Sequence, residues 1–404
     1  MRKYIVLGDF NKKYFIIFII FLITCSIEYF LISYIDKITN YRTKFRTNKL
    51  LSSTLTYIGQ FLCFIPLIIT KICNYKKSSI TSKNNKSSFK IKYIFNNSNN
   101  LITFKDKILI IIICSLLLVN DIINILISYL IKIGGILYNQ EFYFMEYLFL
   151  FLISKYIFNL NYYKHQYYSI IFIILFGLLK YLVKLYCEVN LKDKYKEIIL
   201  ILLLQIMQAF IDSYTIGNVK ILMGSKYLSP YLICSIFGLI NGLITIISYF
   251  IVSYFPCNHN LCDLVYNNKI YFDNIYSVFD NLTSIEIFLL IYTIFQAGIY
   301  QILVYITIND FTVCHIFLFY QIIEFADSFV EIFSRDINIF VVSILIICGI
   351  FEIFVVLILL EIIELGFCGL NYNTKRNIKK RALIEINLSN NIRTSTEETV
   401  IPDE

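Results

Sequence analysis

The sequence predicts an all-α polytopic membrane protein, in which ten transmembrane helices form two inverted repeats of five helices each. Hydrophobic residues make up 58% of the 404 residues and charged residues only 16%, and mean hydropathy is +0.69. A soluble domain cannot hide so large an apolar fraction in one core. The apolar residues also occur in long runs, each long enough to cross a bilayer.

The repeat is predicted from a similarity between the two halves of the chain. Residues 146–186 contain two apolar runs around a short polar link, which is typical of a transmembrane helical hairpin. Gln166 lies eleven residues before Gly177 in this hairpin, and Asn338 lies eleven residues before Gly349 near the end of the chain. We therefore expect two similar halves, each of which ends in such a helix.

The first half is predicted to cover residues 14–186, after a polar N-terminal segment at 1–13. A signal peptide is the alternative for the first apolar run, but this run is longer than a signal core and no small-residue cleavage pattern follows it. The segment 71–107 is rich in Ser, Asn and Lys and lacks periodicity, so we expect a flexible basic loop. The five predicted spans are 14–34, 51–70, 108–130, 142–158 and 168–186.

The second half is predicted to cover residues 187–364 and is followed by a polar tail at 365–404. A longer loop at 256–281 separates its second and third spans. The five spans are predicted at 198–217, 231–255, 285–306, 312–333 and 337–360, and the last of them can be extended through Glu361 and Glu364.

The net charge of +8 is explained by the membrane class, because Lys and Arg lie in loops and tails beside apolar spans. We expect no nucleic-acid partner. The positive-inside rule favours a cytoplasmic location for both termini, although the basic cluster within residues 37–49 would then lie on the opposite side. The membrane itself is predicted to be either an intracellular one (Golgi, ER or vacuole) or the plasma membrane.

The ninth span carries a row of polar side chains. Their spacings of three, three and four residues place them on one helical face, and these residues are Gln321, Glu324, Asp327 and Glu331. A carboxylate at bilayer depth costs on the order of 3 kcal/mol, so it normally faces a cavity or a partner. The functional interpretation is a binding stripe for a cationic solute or for protons. In the alternative, Glu331 lies at the membrane surface and the others pair with neighbouring helices.

The third span has a second polar face, formed by Asp121, Asn124 and Ser128. This face can line a cavity or form hydrogen bonds between helices, which contribute about 1 kcal/mol each in membranes. Other spans hold single polar residues that the sequence does not sort between these two roles: Glu28, Gln60, Glu146, Gln205, Asp212, Asn241, Gln296 and Glu352.

Most of the eleven cysteines lie in apolar spans, where Cys packs as a small apolar residue. Cys257 and Cys262 are different, because they lie in the 256–281 loop, which faces the lumen or exterior if both termini are cytoplasmic. A disulfide between them is the first interpretation. A zinc site with His259 is the alternative, but it lacks an obvious fourth ligand.

The chain resembles the drug/metabolite transporter superfamily. The resemblance rests on the five-plus-five arrangement, on a third span that reads LLLVNDIINILISYL with Asp121 at its middle, and on the hairpin SKYIFNLNYYKHQYYSIIFIILFG. It covers 108–360 and is nearest to the nucleotide-sugar-transporter-like and chloroquine-resistance-transporter-like branches. The latter carry disulfide-bonded cysteines in the loop that corresponds to 256–281. Few glycines and a strongly acidic ninth span depart from the common pattern.

This resemblance implies a transporter that moves a small polar or charged organic solute by alternating access, with or without proton coupling. The candidate substrate or proton sites are Asp121, Asn124, Gln321, Glu324 and Asp327. A non-transporting receptor or scaffold is the alternative. An enzyme is not expected, since the three histidines form no paired motif and the chain lacks a phosphate loop and a nucleophile turn. We expect neither a cofactor nor a metal.

Overall fold

The fold is taken from a computed structural model of the chain. It describes residues 5–7, 12–24, 49–70, 72, 103–134, 143–157, 159, 162–188, 191–226, 228–257, 262, 264–280, 282–311, 313–323, 325, 339–365, 374, 378 and 381–382.

Helices make up almost all of the described structure. In chain order they are α1 (12–24), α2 (Lys49–Leu62, continuing after a turn through 64–70), α3 (Phe104–Gly134), α4 (Tyr143–Tyr156), α5 (Lys164–Glu188), α6 (Leu191–Lys226), α7 (Pro230–Tyr254), α8 (Ile275–Phe279), α9 (Ser284–Asp310), a 3-10 turn (Val313–His315) that leads into α10 (316–323), and α11 (Ile339–Leu359).

Seven of these helices are long and apolar enough to cross a membrane, namely α2, α3, α5, α6, α7, α9 and α11. They also turn apolar side chains outward, such as Leu175 and Leu182 of α5 and Ile350 of α11, each at least half exposed. The protein is therefore an all-α, membrane-embedded protein. The three other predicted spans overlap α1, α4 and the Val313–Ile323 segment, whose described parts are shorter.

Helix boundaries follow local capping chemistry. At the start of α3, the Asp106 carboxylate accepts hydrogen bonds from the Thr103 N–H and hydroxyl at 2.8 and 2.6 Å, so the helix begins a turn earlier than predicted. At the end of α11, Glu361 has a left-handed φ of 60°. The N–H groups of Glu361 and Ile362 bond back to the carbonyls of Ile358 and Leu357, each at 3.0 Å. This motif stops the helix before Glu361, and the extension through Glu364 does not occur.

Four short strands form two antiparallel pairs. β1 (Ile5–Leu7) pairs with β4 (Ile363–Leu365), which joins the two ends of the described chain. β2 (Leu264–Tyr266) pairs with β3 (Lys269–Tyr271) in a hairpin within the 256–281 loop. The hairpin turn is formed by Asn267 and Asn268, whose φ angles of 48° and 61° suit asparagine in a two-residue turn. Neither sheet is predicted from the sequence.

Contacts between helix ends define two ends of the bundle. The strand end carries the β1–β4 sheet. Lys13 of α1 lies 2.5 Å from Asp310 at the end of α9. Lys220 of α6 donates to three backbone carbonyls at the end of α9. His165 Nε2 at the start of α5 lies 3.4 Å from Glu361 Oε1, just after α11.

The hairpin end carries the β2–β3 hairpin. Here Asp273 accepts a hydrogen bond from the N–H of Leu50, at the start of α2. Ser253, near the end of α7, accepts one from the N–H of Ile275 at 2.9 Å. Helix α2 therefore starts, and α7 ends, at the hairpin end.

Helix α2 packs between α7 and α9 with little space between the backbones. A Cβ atom at Gly238 of α7 would overlap the backbone of Phe61, and one at Gly298 of α9 would lie 2.6 Å from the carbonyl oxygen of Gly59. Only glycine permits such an approach at these positions. At the opposite flank, α5 packs on α11, where the Phe176 and Phe351 rings stack at 5.5 Å.

Candidate binding cavity

A polar cavity of about 310 Å³ lies among α3, α4, α6, α9 and α10. Its polar lining consists of Glu146, Gln208, Asp212, Thr215, Tyr300, Gln301, Tyr305 and Tyr320. No Lys, Arg or His is among the described residues that line it. The cavity is therefore acidic and rich in tyrosine.

Helix α6 contributes a polar face to the cavity. Gln208, Asp212 and Thr215 recur at spacings of four and three residues, so they lie on one side of the helix. The apolar Val219 continues this face one turn further. Helix α9 contributes pairs of residues four apart, including Gln301 and Tyr305. Residues of two long helices thus face each other across the cavity.

Two carboxylates reach the cavity from different helices. Asp212 of α6 accepts a hydrogen bond from Asn120 of α3 at 2.9 Å. Glu146 of α4 is only 8% exposed, and its backbone carbonyl accepts a hydrogen bond from Ser213 at 3.0 Å. The sequence alone leaves Glu146 and Asp212 among the unsorted polar residues of the spans. The regular spacing of polar residues along α6 is the signal that could have identified Asp212.

Asp121 is not among the residues that line the cavity. Its Oδ2 accepts a hydrogen bond from the hydroxyl of Tyr57 of α2 at 2.8 Å, and the fully buried Asn241 of α7 lies near that hydroxyl. Asp121 does not line the cavity but is close enough to Asp212 for their charges to repel. The structure thus places the predicted Asp121 next to a cavity residue.

Gln321 is 1% exposed and donates to the hydroxyl of Tyr147 at 2.7 Å. Its neighbour Tyr320, and not Gln321 itself, lines the cavity. Asn124 of α3 is exposed on the outer face of the helix, and Ser128 bonds to the Asn124 carbonyl at 2.8 Å. The third-span polar face is therefore only partly directed inward.

The remaining predicted site residues of the ninth span, Glu324 and Asp327, lie outside the described residues, as does Glu331. In the 256–281 loop, Cys257 and Cys262 are joined by a disulfide with a Cα–Cα distance of 6.3 Å. Within the part of the chain that the structure describes, no group of three or more His, Cys, Asp or Glu side chains could hold a metal ion.

A scan against protein-family models finds no match, and no curated protein matches the sequence. Fold and cavity together define the class: an all-α, membrane-embedded protein with an acidic, tyrosine-lined cavity.

Proposed function

We propose that this chain is a multi-pass membrane transporter that carries a small polar or charged organic solute by alternating access. The acidic cavity carries the proposal, since a carboxylate within the membrane is costly unless it serves a cavity or a partner. The resemblance to drug/metabolite transporters agrees with this function. The cavity chemistry favours a cation, because carboxylates attract it and tyrosine rings stabilise it by cation–π contacts.

The contacts at the bundle ends support ten crossings rather than seven. Helix α1 begins at the strand end beside Asp310, whereas α2 begins at the hairpin end beside Asp273, so the chain between them must cross the membrane. Helix α9 ends at the strand end, and α11 also ends there after a single crossing. The proposal therefore includes one further crossing, in the opposite direction, between α9 and α11.

The same reasoning applies to α4. Helix α2 ends at the strand end, and the polar composition of 71–103 makes a crossing in that segment unfavourable. Helix α3 then returns to the hairpin end, while α5 starts at the strand end because His165 lies beside Glu361. Helix α4 must cross between them. We propose ten crossings, with both termini on the cytoplasmic side.

Equivalent contacts in the two halves support the repeat. Phe144 of α4 packs so closely on Gly177 of α5 that a Cβ there would overlap the ring. Likewise, a Cβ at Gly349 of α11 would lie 2.8 Å from the ring of Phe325, which follows α10. A second pair of contacts also matches. Helix α4 contacts α6 through the Glu146 carbonyl, which accepts a hydrogen bond from Ser213. In the other half, the 3-10 turn before α10 contacts α1, where the Tyr14 hydroxyl donates to the His315 carbonyl at 3.0 Å.

Two residue pairs lie where an axis between such repeats would pass, because at an axis a residue contacts its own counterpart. Lys180 and Glu352 each follow the matched glycine by three positions, and they form an ion pair. The sulfur atoms of Cys63 and Cys234 lie 3.5 Å apart. These two cysteines are 171 positions apart in the chain, which is close to the spacing of Gly177 and Gly349.

Uptake into proteoliposomes tests the transport proposal. We expect uptake of labelled organic cations from a panel that also contains neutral and anionic solutes. Asp212→Asn and Glu146→Gln should each reduce cation uptake about tenfold or more, because a hydrogen bond to a charged group contributes roughly 1.5–3 kcal/mol. Asp280→Asn, which removes an exposed carboxylate from the hairpin-end loop, is the matched control and should have no effect.

Two outcomes would contradict the proposal. If no member of the panel enters the vesicles while a solute still binds, a receptor is the better interpretation. If uptake is identical in the cavity variants and in the control, the cavity is not the transport site.

A further inference from the structure

Asp121 and Asp212 belong to neighbouring helices but have different surroundings. Asp212 lines the cavity, whereas Asp121 is not among the lining residues and accepts a hydrogen bond from the Tyr57 hydroxyl at 2.8 Å. Asn120, next to Asp121 in the chain, donates to Asp212 at 2.9 Å. Asp212 therefore faces the cavity, and Asp121 is bound to a tyrosine outside the cavity lining.

A separate observation indicates that a ligand binds beside Asp212. Thr215 follows Asp212 by one helical turn and also lines the cavity. It is only 4% exposed, and its hydroxyl has no hydrogen-bond partner among the described residues. Such buried hydroxyls normally find a partner, so this position is suited to a ligand that carries a hydrogen-bonding group.

We propose that Asp121 is the proton-binding site of the transporter and that Asp212, with Thr215, binds the cationic solute. This inference rests on the proposed function and assigns the coupling ion to a residue outside the cavity. Its basis is the proximity of the two carboxylates, since Asn120, next to Asp121 in the chain, donates to Asp212 at 2.9 Å. Two carboxylates so close together repel each other, and a single positive charge between them stabilises the pair.

Among the residues that the structure describes, the groups that face Asp121 supply no positive charge. From α2 these groups are Tyr57 and Ser53, and from α6 the group is Asp212. Asn241 of α7 and Tyr305 of α9 are neighbours of the Tyr57 hydroxyl and not of Asp121 itself. Among the described residues, hydrogen bonds and no ion pair stabilise the ionised Asp121. A bound proton is then the positive charge that this carboxylate takes up.

The exchange step follows from this balance. In the absence of solute, a proton on Asp121 removes the repulsion between the two carboxylates. When a monovalent cation binds beside Asp212, its positive charge takes that role and Asp121 releases its proton. One proton leaves for each cation that enters, and the net charge of the site is unchanged.

The test uses the purified full-length protein in lipid nanodiscs, with radiolabelled tetraethylammonium as the probe. Its charge is permanent, so any pH dependence of binding comes from the protein. In the wild type, we expect the Kd to rise as the pH falls, by up to tenfold per pH unit, and we expect binding to release protons in weakly buffered solution. Asp121→Asn should still bind the probe, with a Kd that no longer depends on pH and without proton release.

Three further variants separate the roles. Asp212→Asn should lose at least tenfold in affinity at every pH. Tyr57→Phe should move the midpoint of the pH profile upward by about one pH unit, because the hydroxyl stabilises the ionised carboxylate. Asn124→Ala changes an exposed polar residue on the same helix as Asp121 and should match the wild type.

Infrared spectroscopy of the ligand-free protein tests the same site without a solute. As the pH is lowered, the carbonyl band of protonated carboxylic acids should be weaker in Asp121→Asn than in the wild type, because the signal of one buried carboxyl group is lost while the other carboxyl groups contribute equally. The same component should remain in Asp212→Asn. A band of unchanged intensity and midpoint in Asp121→Asn overturns the assignment, as does pH-dependent binding in that variant. If the probe does not bind at all but the band behaves as expected, the proton site stands and the cationic solute of the proposed function is wrong.

Discussion

Buried charges are the most consequential side chains at the residue scale. Lys180 and Glu352 form an ion pair between α5 and α11 and are 5% and 0% exposed. Removal of one partner from such a pair leaves a buried charge without compensation, which costs about 3–5 kcal/mol. The pair lies on a different flank of the bundle from the cavity residues Asp212 and Glu146.

We expect Lys180→Met to lower the melting temperature of the detergent-purified protein by several degrees or to prevent its purification as a monodisperse species. The exchanged pair Lys180→Glu with Glu352→Lys should recover most of the loss, because the two charges still meet. Size-exclusion chromatography after heating measures both variants. The control is Lys269→Met on the exposed hairpin. Failure of the exchanged pair to exceed the single variant would show that the attraction between the two charges is not what stabilises the contact.

Helix α2 is the central element, because it contacts α7 and α9 and supplies Tyr57 to Asp121. Its packing depends on backbone contact at glycines of the neighbouring helices. Larger side chains at those positions would separate the helices and displace Tyr57 from the polar network. Close packing at this element therefore positions the candidate proton site.

Gly238→Ala is expected to destabilise the protein, since the new Cβ would overlap the backbone of Phe61. Gly224→Ala is the matched control, because a Cβ there meets nothing within 4 Å and alanine favours a helix by about 1 kcal/mol. Melting temperatures should fall for Gly238→Ala by several degrees and stay equal or rise for Gly224→Ala. Equal changes in the two variants would contradict the close contact between α2 and α7.

For the whole molecule, the decisive property is which segments share a side of the membrane. The β1–β4 pair joins residues from both ends of the described chain, and the disulfide of Cys257 and Cys262 lies at the opposite end of the bundle. The pairing of the two strands agrees with the proposed topology, in which an even number of crossings separates them.

Epitope tags at both termini should remain inaccessible in intact cells until the membrane is permeabilised. A membrane-impermeant maleimide should label Cys257 and Cys262 from outside only after a reductant opens their disulfide. The double variant Cys257→Ser with Cys262→Ser is the control and should lose this signal. Tags on opposite sides would rule out ten crossings, and labelling without reductant would rule out the disulfide.

The sequence by itself determined that the chain is an all-α membrane protein, because run length and hydropathy are local properties. It also located the helices closely enough that each predicted span overlaps a described one, and it singled out Asp121 and the cysteine pair. These features depend on residues that are near each other in the chain. Capping by Asp106 and the stop at Glu361 shifted boundaries by only a few residues.

Only the tertiary structure decided which polar residues meet. Asp212 and Glu146 looked like isolated polar residues, yet they reach one cavity, while Asn124 faces outward despite its spacing from Asp121. The β1–β4 pair and the ion pair of Lys180 with Glu352 likewise join distant segments. A helix period shows which side chains share a face, but the direction of that face depends on packing against helices far away in sequence.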